Sequence, residues 1–543
     1  MVPSLATSYR KNTDTDVDAI VIGAGFGGLY ALYKLRYELG LNRVQLFEKG
    51  GDIGGTWYWN RYPGALADTE SLVYCYSFDK DLLQEWEFDS KFLGQKSVLK
   101  YLNLFAEKYN LRKDCQFNTT VTALTFDEEK EIWAATTDSG EVMTANFVIT
   151  AMGLLSAVNL PSFKGIEKFE GLKVHTARWN IQDEALKGKR IGVIGTGPTG
   201  VQCIVDIAPK AKHLTVFQRT AQYSVPIGKN HIPKEELQDI KNNYDDTWKV
   251  VKNSINAMSF EESKISYNSV PPEERNLLFE EAWNKGGGFI FAYGAFKDIF
   301  INPEANKGAA DFVRSKIAQI VKDPETAKKL TPFEPYARRP LCDSGYYETF
   351  NRENVSLVSL RETSIQEISE KGIITSDGKE HELDIIIFAT GFDAVDGGYK
   401  KMEIRGRHGA LIKDEWKNGP SSYIGMAVNK FPNLFLVVGP LGPFTNIPPL
   451  VQLQVDWISE AIQYIKDNNL TALEASKEGE KKWRNTCADV ATKTLFGQSG
   501  SWIFGANVPE KARAVMFYLA GFKAYREALE EETRNGYKNM IKI

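Results

Sequence analysis

An α/β fold with two copies of one strand–loop–helix unit, and a helical insertion in the second copy, follows from three observations. The segment DAIVIGAGFGGLYALYKL sets Gly23, Gly25 and Gly28 directly after an apolar run, residues 19–22. The segment KRIGVIGTGPTGVQCIVDIA repeats that arrangement with Gly195, Gly197 and Gly200. From about residue 232 to 330 the chain turns rich in Glu, Lys and Asn with helical periodicity, as in PEERNLLFEEAWNKGGG and AADFVRSKIAQIVKDPETAKKL. A strand feeding a glycine turn that opens a helix is the Rossmann-like unit. The glycines permit the tight turn and a close backbone approach, and the helix N-terminus faces a pyrophosphate.

The two units end on different charges. In the first, Glu48 closes the next apolar run, 20 residues beyond Gly28. A carboxylate there accepts hydrogen bonds from ribose hydroxyls. In the second, the run HLTVFQRT carries Arg219, 19 residues beyond Gly200, and then Thr220. An acid would repel a 2′-phosphate, whereas a guanidinium pairs with it through two charge-assisted hydrogen bonds. The first unit is therefore expected to bind FAD and the second NADPH. The alternative reading of Arg219 is a solvated surface charge.

The remaining elements follow in order. A helix is expected around KSVLKYLNLFAEKYNL, then a strand meander over NTTVTALTFDEEKEIWAATTDSGEVMTANFVITAMG, whose alternating runs break at Asp-Ser-Gly. After the helical insertion the strands resume in NVSLVSL, SIQEISEKGIITSDG and LDIIIFATGFD. Small residues at Gly153 and at Ala389, Thr390 and Gly391 suit a place where the chain crosses between domains or approaches a cofactor, the alternative for each being an ordinary strand-end turn. The expected division is 1–155 and 390–543 for the FAD-binding domain, 156–231 and 331–389 for the NADPH-binding domain, and 232–330 for the helical insertion.

Composition narrows the function classes. The chain has 543 residues, 43% of them hydrophobic, enough for two or three domains with sizeable cores. A formal charge of -4 and a pI near 6.0 supply no basic field for nucleic acid or anionic lipid. The opening MVPSLATSYRKNTDTD is polar and lacks the apolar core of a secretory signal, and no apolar run is long enough to span a bilayer. A soluble, cytoplasmic protein is expected. None of the five cysteines forms a CxxC, and none of the five histidines has metal-ligand spacing, so neither a redox dithiol nor a metal is expected.

Two further segments resemble the type I Baeyer–Villiger monooxygenases. FEGLKVHTARWN carries Phe169, Gly171, His175 and Trp179 in the family's FxGxxxHxxxW pattern. GGTWYWNRYPGALAD matches a longer family pattern through Gly55, Trp57, Tyr62, Pro63, Gly64 and Asp68. Asn180 departs from the Pro or Asp usual after the tryptophan. The similarity runs over nearly the whole chain. YARRPLCDSGYYETFNREN, GPLGPFTNIPP and SWIFGANVPEK look closest to the cyclohexanone monooxygenase branch.

That resemblance implies a chemistry and a set of roles. NADPH reduces FAD, reduced flavin and O2 form a C4a-peroxide, and one oxygen enters a cyclic ketone to give a lactone, with sulfoxidation as a side activity. Arg339 is implied as the fixed cation of oxygenation and Asp68 as the acid that holds it. Arg338 joins Arg219 and Thr220 on the 2′-phosphate. Trp502 folds over the nicotinamide, and Trp57 and Tyr74 line FAD. Phe26, Thr56, Val121, Thr196, Thr199 and Gln202 complete the cofactor positions. Leu154, Leu155, Phe289, Phe291, Phe444, Thr445 and Ile447 are the candidate substrate wall. His175 titrates near neutrality and so invites a general-base role, but its place in the connector favours a positioning hydrogen bond. The partners implied are a small ketone and O2, with a monomer favoured. Amine- and sulfide-oxidising flavin monooxygenases share the two nucleotide folds, but their connector usually has Tyr or Phe where Trp179 stands, and they lack the Arg339 segment. A non-catalytic dinucleotide sensor is the remaining alternative, and Arg339 with Asp68 argues against it.

Overall fold

The computed structural model describes residues 14–509 and 511–543. The first 13 residues of the polar opening stretch lie outside the described residues. The first glycine loop follows strand Val17–Ile22 and opens helix Phe26–Tyr33. That strand pairs in parallel with Val44–Phe47 on one side and Val142–Thr150 on the other. Ala19 and Val21 join one buried cluster, and Ile20 and Ile22 join another. Both faces are covered, which is why the run is continuously apolar rather than alternating. The expected meander is present as Val121–Asp127, Ile132–Thr137 and Val142–Thr150 in antiparallel order. Strands Glu403–Arg405 and Leu434–Leu436 return late in the chain to the same eight-stranded sheet.

The second sheet has five parallel strands in the order Leu172–His175, Ile385–Phe388, Arg190–Ile194, His213–Gln218 and Val355–Ser359. Its glycine loop follows Arg190–Ile194 and opens helix Pro198–Ile207. A crevice at the carboxyl end of a strand flanked by diverging connections is where such sheets bind ligands.

Between residues 219 and 354 the chain leaves the second sheet. Its helices divide between two cores. Leu237, Tyr244, Trp248 and Val251, on helices Lys234–Asn242 and Tyr244–Asn253, pack into the core of the first sheet. Phe279, Trp283, Phe312 and Ile317, on Pro272–Lys285 and Pro303–Ile320, pack into the core of the second. The helical periodicity of AADFVRSKIAQIVKDPETAKKL is carried by two helices, Pro303–Ile320 and Pro324–Leu330. The first ends at Ile320 and the second starts at Pro324, where the Asp323 carboxylate accepts from the Thr326 backbone N–H. Proline fits a first helical turn, and aspartate is a favoured cap.

Candidate active site

Both glycine loops open into one cavity of about 1320 Å³. That exceeds the ~300–1,000 Å³ of an ordinary ligand pocket and suits two nucleotides better than one. The cradle fits such groups. At Gly23, with φ of +103°, an added Cβ would sit 2.6 Å from the Ala151 carbonyl oxygen. At Gly197 an added Cβ would meet no protein atom within 4 Å, so the backbone there faces open cavity. Neither helix N-terminus carries a side-chain cap, which leaves backbone N–H groups free for an anion. Glu48 lines the same space and is buried. Its carboxylate accepts from the backbone N–H groups of Ala24 at 2.7 Å and Gly50 at 2.6 Å.

The third glycine of each loop behaves differently. Gly28 and Gly200 do not line the cavity. An added Cβ would lie 1.7 Å from the Gly23 oxygen and 2.2 Å from the Gly195 oxygen respectively. They let the helix close onto its own loop and act on a nucleotide only through that geometry.

Asp68 lies on strand Leu66–Glu70, whose pairing with Phe92–Gly94 shifts register between Leu66 and Glu70. Such a shift re-aims a side chain. Arg339 precedes strand Leu341–Asp343, which pairs in parallel with Ser224–Pro226. Asp343 anchors that segment, accepting from Gly345 N–H at 2.8 Å, Tyr346 N–H at 2.6 Å and the Ser224 hydroxyl. Burial raises the Asp343 pKa, and these donors oppose the rise. The two segments meet at the cavity wall, where Arg339 Nη2 donates to Asp68 Oδ1 at 2.6 Å.

The structure brings most of the sequence-predicted residues to this cavity. Gly25, Phe26, Thr56, Trp57, Tyr74 and Val121 line it beside the first loop. Gly195, Thr196, Thr199, Gln202, Arg219, Thr220 and Arg338 line it beside the second. Two of these are already engaged. Gln202 Oε1 accepts from the Tyr62 hydroxyl at 2.8 Å and its Nε2 donates to Leu66 O at 3.0 Å, so its amide ties the two units together. Arg338 Nε donates to Glu334 at 2.9 Å. Arg219 is exposed at the rim. Leu154, Leu155, Phe289, Phe444, Thr445 and Ile447 also line the cavity.

Phe291 does not. It is fully buried and stacks on Phe279 and Phe312. Phe289 and Phe291 are two residues apart on helix Gly288–Gly294, a rotation of about 200°, so they face opposite sides. Pairing them as one wall treats a helix as though it had the period of a strand.

Trp502 lines the cavity, with ring centroids 6.1 Å from Phe444 and 5.6 Å from Phe517. Its segment is pinned to the crossing strand. Lys511 Nζ, with a side chain 4% exposed, donates to Asp393 Oδ1 and Ala394 O, each at 2.6 Å. Asn507 Nδ2 donates to Phe392 O at 2.8 Å. Gly153, Ala389, Thr390 and Gly391 line the cavity as well.

His175 Nδ1 accepts from Ala177 N–H at 3.1 Å, which leaves the proton on Nε2, 3.3 Å from the Thr390 hydroxyl. Burial lowers its pKa to about 4. It is neutral near pH 7 and tied into the connector.

Sequence reasoning missed Met258, Asn446 and Arg178, all in the wall. Met258 and Asn446 come from loops with no periodic signal. Arg178 sits inside HTARWN between the patterned His175 and Trp179, at a position that no spacing rule marks. Among the described residues no helix is long and apolar enough to cross a membrane.

Comparison with known proteins extends these observations. A family model described as flavin-binding monooxygenase-like matches residues 17–235. A cyclohexanone 1,2-monooxygenase of an Acinetobacter species is 54% identical over 523 residues, covering 96% of each chain. A Baeyer–Villiger monooxygenase of Pseudooceanicola batsensis is 50% identical over 539 residues, covering 99% of this chain and 98% of the other. The crystal structure of cyclohexanone monooxygenase from Rhodococcus sp. Phi1 bound to NADP+ superposes with a TM-score of 0.95 at 50% identity. It covers 97% of this chain and 99% of its own.

Proposed function

The chain belongs to the Baeyer–Villiger monooxygenases, and from that membership we propose how its own residues serve the reaction. It is an FAD-containing enzyme that uses NADPH and O2 to insert one oxygen atom into a cyclic ketone, giving a lactone. Bound FAD supplies the redox chemistry and oxygen activation, and NADPH supplies the electrons.

The observation that carries the site assignment is the Asp68–Arg339 ion pair on the wall shared by both glycine loops. Negative charge grows on the ketone oxygen as the carbonyl is attacked. A guanidinium is always charged and presents a rigid fork of donors, so Arg339 stabilises that charge without reorganising. Asp68 fixes the fork in place. Glu48 holds the FAD ribose, and the backbone N–H groups behind Gly25 and Gly197 hold the two pyrophosphates. Arg219 and Thr220 take the 2′-phosphate of NADPH, and Arg338 joins them by sharing its guanidinium between Glu334 and the phosphate. Trp502 closes over the nicotinamide and keeps water out. Phe289, Phe444, Thr445, Ile447, Leu154 and Leu155 shape the ketone pocket. Residues 1–155 with 390–543, and 156–231 with 331–389, act as the two nucleotide-binding bodies, and 232–330 spans both cores. The protein works as a cytoplasmic monomer.

The reading is tested by incubating purified protein with NADPH in air and a panel of cyclic ketones, cyclohexanone first, with products resolved by gas chromatography. Lactones are expected. Yellow protein that oxidises NADPH and converts none of the ketones would remove the substrate class.

A further inference from the structure

Six cationic side chains line the cavity: Lys49, Arg178, Arg219, Arg338, Arg339 and Lys401. Lys49, Arg219 and Lys401 are exposed, and water meets their charge. Arg338 and Arg339 have carboxylate partners in Glu334 and Asp68. Arg178 is the exception among the described residues. It is half-buried, and no carboxylate oxygen lies within 4.0 Å of its guanidinium; the more distant Glu48 carboxylate opposes, without overcoming, the cost of burying its charge. The guanidinium is nonetheless held in a fixed place. Its Nη1 donates to Ala177 O at 2.6 Å, and its Cζ sits 4.1 Å from the centroid of the Trp59 ring. Trp59 ends the short helix Thr56–Trp59, which follows Gly55, the residue against which Gly25 of the first loop packs.

A guanidinium has five N–H donors. One carbonyl and one aromatic face leave most of them unused. Glu48 offsets part of the cost of this half-buried, immobilised charge, and a bound anionic ligand would supply the rest of the counter-charge. Planar bidentate recognition of phosphate is what this group does best. The connector that carries Arg178 joins the two nucleotide units, and Arg178 lines the cavity into which both glycine loops open.

We propose that Arg178 is a binding residue for the pyrophosphate of a bound dinucleotide, clamped in readiness by Trp59 and the Ala177 carbonyl. The proposal rests on the reading of the glycine loops as the FAD and NADPH sites. It adds a side-chain cation to an anion site otherwise made of backbone N–H groups.

The test has two arms and a chemical control. Flavin-free protein is titrated with FAD by flavin fluorescence quenching, and FAD-loaded protein is titrated with NADP+, for wild type and Arg178→Gln. A Kd raised about ten- to a hundredfold for FAD assigns the FAD pyrophosphate, and the same rise for NADP+ assigns the NADP phosphates. Arg178→Lys keeps the charge but loses the fork, and should recover part of the loss. Wild-type protein is also modified with phenylglyoxal and peptide-mapped, so the result does not depend on the variant folding. Modification of Arg178 should fall when FAD or NADP+ is bound. Unchanged Kd values for both nucleotides overturn the proposal. So does modification of Arg178 that neither nucleotide slows. Wild-type protein that binds neither nucleotide would instead overturn the reading of the glycine loops.

Discussion

Replacing Arg339 by alanine separates binding from oxygenation. The ion pair is shielded, with Arg339 27% and Asp68 13% exposed in their side chains. A cation held in such a place acts at nearly full strength on charge that develops beside it. Loss of one preorganised group of that kind typically costs about 2.7–4 kcal/mol, or roughly a hundred- to a thousandfold in rate. Asp68→Ala removes less. The cation stays, and one 2.6 Å charge-assisted bond is lost. Discounted for the partial exposure of Arg339, that is about 1–1.5 kcal/mol, or roughly five- to tenfold. The assay is stopped-flow in two halves. Anaerobic mixing with NADPH should bleach the flavin at close to the wild-type rate in both variants. Oxygenated mixing with ketone should then give little lactone in Arg339→Ala, with hydrogen peroxide in its place, and intermediate yields in Asp68→Ala. Lactone formed by Arg339→Ala at the wild-type rate would refute the reasoning and make the ion pair a structural tie between the two units. Arg339→Ala that fails in the anaerobic half as well would place Arg339 on NADPH rather than on the ketone.

Three other outcomes are expected. Arg219→Ala should weaken NADPH by about 1.5–3 kcal/mol and leave NADH unchanged, measured as kcat/KM for each; equal use of both cofactors by the wild type would remove the 2′-phosphate assignment. Phe289→Ala should alter ketone KM or regioselectivity at small cost in stability, whereas Phe291→Ala should lose about 3–5 kcal/mol and spare selectivity in whatever protein folds; matching effects would contradict their opposite placement. His175 has a folded pKa of about 4 against 6.5 unfolded, so the unfolded chain binds more protons between those values. Its contribution is complete above pH 6.5, declines as pH falls through that window and levels off below about 4, a loss of at most about 3 kcal/mol. The melting-temperature advantage of wild type over His175→Gln should therefore shrink from pH 7.5 to pH 5, and a constant difference would show that His175 titrates normally.

The parts of the site readable from sequence are those set by local spacing. A strand, three glycines and a residue about 20 positions on lie in one supersecondary unit, so Glu48 and Arg219 follow from counting. The helix start at Asp323-Pro324 is equally local, set by a capping carboxylate and a first-turn proline. What counting could not supply is which core a helix chooses. Leu237 and Trp248 join the first sheet and Phe279 and Ile317 the second, because burial is decided by tertiary contact rather than by periodicity. Gln202 shows the same limit. Its place in the second loop suggests a nucleotide contact, while its amide spans to Tyr62 and Leu66 in the other unit. Asp68 and Arg339, 271 positions apart, came together only through resemblance, since no spacing rule joins two segments from different units.

The central claim is that this cavity passes one atom of O2 into a ketone at the expense of one NADPH. Turnover of cyclohexanone under 18O2, with NADPH followed by absorbance and the product by mass spectrometry, tests it directly. One lactone should form for each NADPH oxidised, carrying one 18O as the inserted ring oxygen and the original oxygen in its carbonyl. Lactone without label, or NADPH oxidised to peroxide with the ketone returned intact, would contradict the account.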